Sequence, residues 1–171
     1  EEVMFLLHRR KLPTQPELDE FTKTLRSERH LPQGVIDFIT GLKETGEFSV
    51  AIATGGCDVE ARFKLECCGL DIDDFPHATS SDSPKRSSII PLAADRAGFP
   101  LSSCVYFGDA LWDIRVSRQL KIPLIGIGRK KAIFEENQMN DHFSDFSDKD
   151  AIHQVLNRYK SMSDQALQTT S

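Results

Sequence analysis

The chain has 171 residues, a net charge of −5 and a pI near 5.5, and 39% of its residues are hydrophobic while 27% are charged. This balance excludes a globally disordered chain and predicts one packed domain with at most a small appendage. The acidic excess argues against nucleic acid as a partner, since nucleic-acid binding needs a basic surface.

The cysteines and the apolar runs indicate the cellular compartment of the protein. The four cysteines show neither a CxxC pair nor the Cys/His spacing of a zinc site, so we expect free thiols in a reducing compartment. No run approaches the roughly 20 apolar residues that a membrane span needs. We therefore predict a cytoplasmic protein that binds neither membranes nor nucleic acid.

The first third of the sequence is predicted to be helical. Thr14 is a candidate N-cap for a helix over residues 14–28, in which apolar residues fall on one face. A second helix is predicted over residues 33–46, with Gly46 as its C-terminal stop. The opening residues "EEVMFLLHRR" read like the interior of a helix, so we expect the natural chain to begin earlier.

Apolar runs then alternate with helical patterns. Such runs are typical of parallel strands buried on both faces, and their alternation with helices predicts an α/β fold with a parallel sheet. Pro91 is expected to interrupt or bend the helix that contains it. The predicted strands are "FSVAIAT" (48–54), "HATSS" (77–81), "CVYFGD" (104–109) and "IPLIGIG" (122–128), and the predicted helices cover residues 57–70, 84–98 and 111–120.

The first strand end that carries chemistry is the sequence Thr54-Gly55-Gly56. A hydroxyl followed by two glycines that open a helix is suited to binding an oxyanion, because glycine lets backbone N–H groups approach it and the helix dipole favours negative charge. The alternative is a tight strand-to-helix turn in which Thr54 is the N-cap. On these residues alone the two interpretations are about equal.

The second strand end carries two acids, Asp109 and Asp113, in "GDALWD". Residues four apart share one face of a helix. Paired carboxylates at the end of a strand suit Mg²⁺, which prefers oxygen ligands. The alternative is that Asp109 caps the helix and Asp113 is an ordinary acid of its first turn.

Two cations, Lys85 and Arg86, lie between these strand ends, just before a predicted helix. A cation at that place can neutralise a phosphate or a nucleophile. Solvent-exposed loop cations are common, so these two residues carry little weight by themselves.

The order of these features resembles the haloacid dehalogenase superfamily, most closely its phosphoglycolate phosphatase-like branch. The second motif of that family matches Thr54, the third matches Lys85 or Arg86, and the fourth matches Asp109 and Asp113 in "VYFGDALWD". The resemblance implies a Rossmann-like core with a parallel sheet and part of a small helical cap. It divides the chain into a cap segment (1–31), a core (32–160) and a frayed tail (161–171).

The resemblance also implies roles for these residues. Thr54 and the Gly55-Gly56 backbone would bind phosphoryl oxygens, and Lys85 or Arg86 would offset their charge. Asp109 would bind Mg²⁺, and Asp113 would orient the cation or a metal-bound water. The implied enzyme is a Mg²⁺-dependent phosphatase that acts on a small phosphorylated metabolite through an aspartyl-phosphate.

The first motif of the family, DxDx[TV] after a buried strand, is not found in this sequence. Its strand would be central, so the strands ending at Thr54 and Asp109 are expected to face a gap of about 10 Å, or two strand spacings. The chain is then a fragment, a chain whose gap another segment or chain fills, or a non-catalytic relative. We therefore also consider a non-catalytic phosphate-binding or regulatory module, and self-association through the incomplete sheet.

Overall fold

The computed structural model of the protein describes residues 14–17, 19, 20, 23 and 34–168. Residues 15–17, 19, 20 and 23 are helical and follow Thr14, which is outside the helix as an N-cap residue would be. The other residues of the helix predicted over 14–28 lie outside the described residues, as does most of the segment 1–31. The helices that follow are α1 (Val35–Thr45), α2 (Asp58–Glu66), α3 (Arg86–Arg96), α4 (Leu111–Leu120), α5 (Lys131–Glu136) and α6 (Lys149–Gln168). The strands are β1 (Ile52–Ala53), β2 (His77–Ala78), β3 (Tyr106–Gly108), β4 (Leu124–Ile127) and β5 (His142–Phe143).

Helix α1 begins and ends at glycines with left-handed backbone angles. Gly34 has φ 77° and Gly46 has φ 62°, and the Gly46 amide donates to the Leu42 carbonyl, as a C-terminal stop requires. The buried side chains of α1 are Phe38 and Leu42. They join the largest apolar cluster, which also includes Ile125, Ile127, Phe146, Ile152 and Leu156.

The strands form two small parallel sheets. One has the order β1-β2, and the other has the order β3-β4-β5. The central strand β4 is buried throughout, whereas β1 and β3 are only partly buried. Within the described part of the chain, β1 and β3 each pair with one strand, and they lie in different sheets.

The predicted fold class is wrong: the prediction is a Rossmann-like core with a parallel sheet that lacks its central first strand, together with part of a small helical cap. Helices hold 55% of the described residues and strands hold 9%, and the strands fall into two sheets. The physical reason is visible in β1. A strand with one partner has one ladder of hydrogen bonds, and the apolar run over residues 48–54 forms a strand of only two residues, Ile52–Ala53.

Other boundaries also differ from those predicted. Pro91 lies inside α3 without ending it. The predicted strand over residues 77–81 is reduced to His77–Ala78. Helix α6 continues to Gln168, inside the segment predicted to be a frayed tail. Among the helices described, none combines the length and apolar character that a bilayer crossing requires.

Gly126 in β4 provides a test of the packing in the second sheet. A Cβ at Gly126 would lie 2.5 Å from a ring carbon of Phe134, which is fully buried. We expect Gly126→Ala to lower the free energy of unfolding by about 1–3 kcal/mol, because the fully buried ring must shift to accommodate the methyl group. Urea unfolding followed by circular dichroism measures the change.

Gly41 in α1 is the matched control, since a Cβ there would meet nothing within 4 Å. Gly41→Ala should stabilise the protein by about 0.5–1 kcal/mol, because alanine loses less backbone entropy in a helix. Equal effects of the two substitutions would contradict the packing described for β4.

Candidate functional site

The candidate site lies at the carboxyl ends of β1, β3 and β4. Asp109 follows β3, and Gly128 follows β4. The two residues lie close together, since a Cβ on Gly128 would lie 3.8 Å from the Asp109 Cβ. Ligands of parallel sheets bind at this edge, where the strands end and helices begin. The turns therefore bring residues from three separate stretches of the sequence to one place.

Asp113 is the centre of this arrangement. Its side chain is buried, and its two oxygens accept four hydrogen bonds. Oδ2 accepts from the backbone N–H groups of Asp109 and Ala110, both at 3.1 Å. Oδ1 accepts from the Tyr106 hydroxyl at 2.7 Å and from Arg86 Nη1 at 3.1 Å. These donors together satisfy a charge that would otherwise be costly to bury.

Local sequence explains why Asp113 reaches the turn before its own helix. It is the third residue of α4, and an acidic side chain at that position bonds back to the amide that precedes the helix. Gly108 leaves room for it, since a Cβ on Gly108 would lie 2.5 Å from the Asp113 Cβ. The Gly-Asp-x-x-x-Asp spacing is thus a requirement of this turn.

Of the two cations, Arg86 is the one that contacts Asp113 of the acidic pair. Arg86 is the first residue of α3, and a Cβ on Gly55 would lie 2.9 Å from its Nη2. Its guanidinium also lies 5.4 Å from the centre of the Trp112 ring. Lys85 is exposed at the N-cap of α3, and its backbone amide donates to the Ser83 hydroxyl.

Asp82 stabilises the loop that precedes α3. Asp82 accepts a hydrogen bond from the Thr79 amide at 2.8 Å and from Arg96 Nη2 at 2.7 Å. The Arg96 guanidinium and the Thr79 amide lower the pKa of Asp82 to about 2. Because Arg96 ends α3 while Thr79 follows β2, this contact ties the loop to the far end of the helix that begins at Arg86.

Thr54 is engaged in its own turn. Its hydroxyl accepts a hydrogen bond from the Gly56 amide at 3.2 Å, and its amide donates to the Ala78 carbonyl at 3.0 Å. This is the arrangement expected of a tight strand-to-helix turn. Binding of an oxyanion by Thr54, Gly55 and Gly56 stays a prediction.

The site includes one residue that was not singled out in the sequence, Tyr106. Burial, followed by the hydrogen bond to Asp113, raises the pKa of the Tyr106 hydroxyl well above its usual range. The available signal was a tyrosine inside an apolar strand, because a buried hydroxyl needs a partner. The partner could not be identified from sequence, since it lies on the following helix.

The two acids differ in what they offer a metal ion. Both Asp113 oxygens already accept hydrogen bonds, whereas Asp109 is exposed. No cluster of three or more His, Cys, Asp or Glu side chains suited to a metal ion occurs among residues that the structure describes. The pair therefore does not fit a site in which both carboxylates bind Mg²⁺ directly. Mg²⁺ itself stays a prediction.

Comparison with known families corrects the resemblance drawn from the motifs. Residues 1–70 match the family model described as citrate synthase, C-terminal domain, which is not a haloacid dehalogenase family. The resemblance to that superfamily, the phosphohydrolase function and the alternative phosphate-binding module are accordingly wrong. No curated protein matches the chain. The matching description names an enzyme, which agrees with the prediction of an enzyme but not with that of a phosphatase.

The match covers less than half of the chain. Thr54, Gly55 and Gly56 lie within the matched residues, whereas Arg86 and the acidic pair lie beyond them. The turns that carry the motifs are therefore present in this structure, although the family that the motifs suggested is not supported.

The tyrosines allow the Tyr106–Asp113 contact to be tested. The sequence has two, Tyr106 and Tyr159, so Tyr159→Phe leaves Tyr106 as the only one. We expect its tyrosinate absorbance at 295 nm to develop only well above pH 10, because burial and the Asp113 charge oppose ionisation. Adding Asp113→Asn should move the midpoint to lower pH.

The raised pKa of Tyr106 also makes the stability of the protein depend on pH. The pKa of Tyr106 is higher in the folded state than in the unfolded one, so its contribution is fully present below about pH 10 and is lost as pH rises further. Tyr106→Phe should flatten this alkaline loss in urea titrations. A midpoint near pH 10 in the Tyr159→Phe protein, with native circular dichroism, would contradict the contact.

Proposed function

We propose that this chain is part of an enzyme that acts on a small carboxylate anion, with Arg86 binding the carboxylate. The partial match to a citrate synthase model supports a carboxylate, because citrate is a tricarboxylate. The position of Arg86 at the carboxyl ends of the strands supports the location of the binding site. We propose Gly55 and Gly56, which begin the turn against Arg86, as the backbone that lines it.

The observation that carries the proposal is the state of the Arg86 side chain. Its Nη1 donates to the buried Asp113, so the guanidinium is fixed in direction, yet 39% of the side chain is exposed. Arginine presents its donors in a planar fork that matches a carboxylate. A preoriented and partly exposed guanidinium loses little entropy when it binds such a ligand.

Asp109 is the proposed acid–base group of this site. It is exposed, and its amide is bonded to the same carboxylate that holds Arg86. A carboxylate four residues before the partner of the anion-binding arginine is a candidate to accept a proton from a bound substrate. When Mg²⁺ is present we propose instead that Asp109 is its single protein ligand and no longer accepts a proton, since Mg²⁺ commonly keeps several waters and binds only one or two carboxylates.

Arg86→Lys tests the role of the guanidinium. Lysine keeps the charge but loses the fork, so citrate should bind about tenfold more weakly, a change of about 1.4 kcal/mol. Isothermal titration calorimetry with citrate measures the affinity. Lys85→Ala is the matched control, and it should leave the affinity unchanged because Lys85 lies outside the contact with Asp113.

Inorganic phosphate separates a carboxylate site from a general anion site. We expect citrate to bind more tightly than phosphate in the same buffer. Two results would overturn a carboxylate site: binding of phosphate without binding of citrate, or an equal loss of citrate affinity in Arg86→Lys and Lys85→Ala.

Asp109→Asn tests the proposed metal ligand. Titration of the protein with MgCl₂ alone should give a binding isotherm that this substitution abolishes, because the amide carries no charge. Asp95→Asn, at an exposed acid of α3, is the control and should leave the isotherm unchanged. An isotherm that survives Asp109→Asn would exclude Asp109 as the ligand.

A further inference from the structure

Trp112 has an exposure that packing does not explain. It is the second residue of α4, between the two acids, and 53% of it is exposed. Its neighbour Asp113 is almost fully buried, so the two successive side chains of one helical turn have opposite environments. A single exposed apolar residue needs no explanation by itself, and a second observation is therefore required.

That observation is the position of Arg86. Its guanidinium carbon lies 5.4 Å from the centre of the indole ring, within the range of a cation–π contact. The same guanidinium is the proposed carboxylate donor, so the ring and the donor share one side of the site. A bound anion that reaches Arg86 comes close to the indole.

A further exposed apolar side chain lies at the start of α2. Val59, in the first turn of α2, is 76% exposed. Helices α2 and α4 start from the turns after β1 and β3, so each of the two turns at the site is followed by an exposed apolar side chain. Val59 and Trp112 thus occupy matching positions, each as the second residue of a helix that follows a strand, and Trp112 is the one shown close to Arg86.

We infer that the ligand of this site is a carboxylate that also carries a planar apolar group, and that this group stacks on Trp112. The inference rests on the proposed function, since Arg86 must hold the carboxylate. Trp112 then determines specificity by contact with the ligand, because an aromatic pair adds attraction beyond the area it buries.

Two matched carboxylates, benzoate and acetate, test this inference in the full chain. Trp112 is the only tryptophan, so its fluorescence reports directly on the contact. We expect benzoate to bind about five- to tenfold more tightly than acetate in calorimetry. Benzoate should also change the tryptophan emission, and acetate should change it less.

Substitutions at Trp112 separate stacking from general affinity. Trp112→Ala should remove the preference for benzoate over acetate, while Trp112→Phe should retain part of that preference. Phe99→Ala is the control, since Phe99 is 47% exposed and lies after α3, at the opposite end from Arg86. Native circular dichroism of each variant excludes misfolding as the cause.

The outcomes distinguish this inference from the function on which it rests. Equal affinity for the two ligands, or a preference that survives Trp112→Ala, overturns the stacking while leaving a carboxylate site that depends on Arg86. Failure of benzoate, acetate and citrate to bind overturns both.

Discussion

The buried carboxylate of Asp113 is the constraint on which the site depends. Its burial requires four hydrogen-bond donors, and these come from the turn after β3, from Tyr106 in β3 and from Arg86 in α3. Meeting that requirement fixes the start of α4, the direction of the guanidinium and the hydroxyl of Tyr106 together. Loss of any one donor would leave a buried charge less well satisfied, which is costly.

Some of this arrangement follows from sequence, and the rest depends on contacts between distant segments. Gly46 as the end of α1 is local, so residue type and spacing predict it. The reach of Asp113 to its own turn is also local, but from sequence the cap of that helix is expected at Asp109 instead. The choice of Arg86 over Lys85 depends on where α3 packs. Among the described residues β1 pairs only with β2, and no pattern of apolar residues reveals which strands will pair.

The incorrect family resemblance has a related cause. A threonine and two glycines after an apolar run, and an acid that bonds back to a helix start, are what strand-to-helix turns require in general. The contacts of Thr54 and Asp113 within their own turns show these requirements at work. Their order along the chain brings them to one edge of the fold, but it does not determine the architecture around them.

The division into two sheets implies regions of unequal local stability. The pair β1-β2 packs on α3 through a cluster of Ala78, Ile89 and Ala93. By contrast, β4 contributes Ile125 and Ile127 to a cluster of seven buried residues and Leu124 to a second cluster with Ile114 and Phe134. The backbone amides of β1 should therefore exchange with deuterium through local openings that leave β4 closed. A ligand on Arg86, whose helix packs against β1 and whose charge partner begins α4, would couple the two regions and slow that exchange.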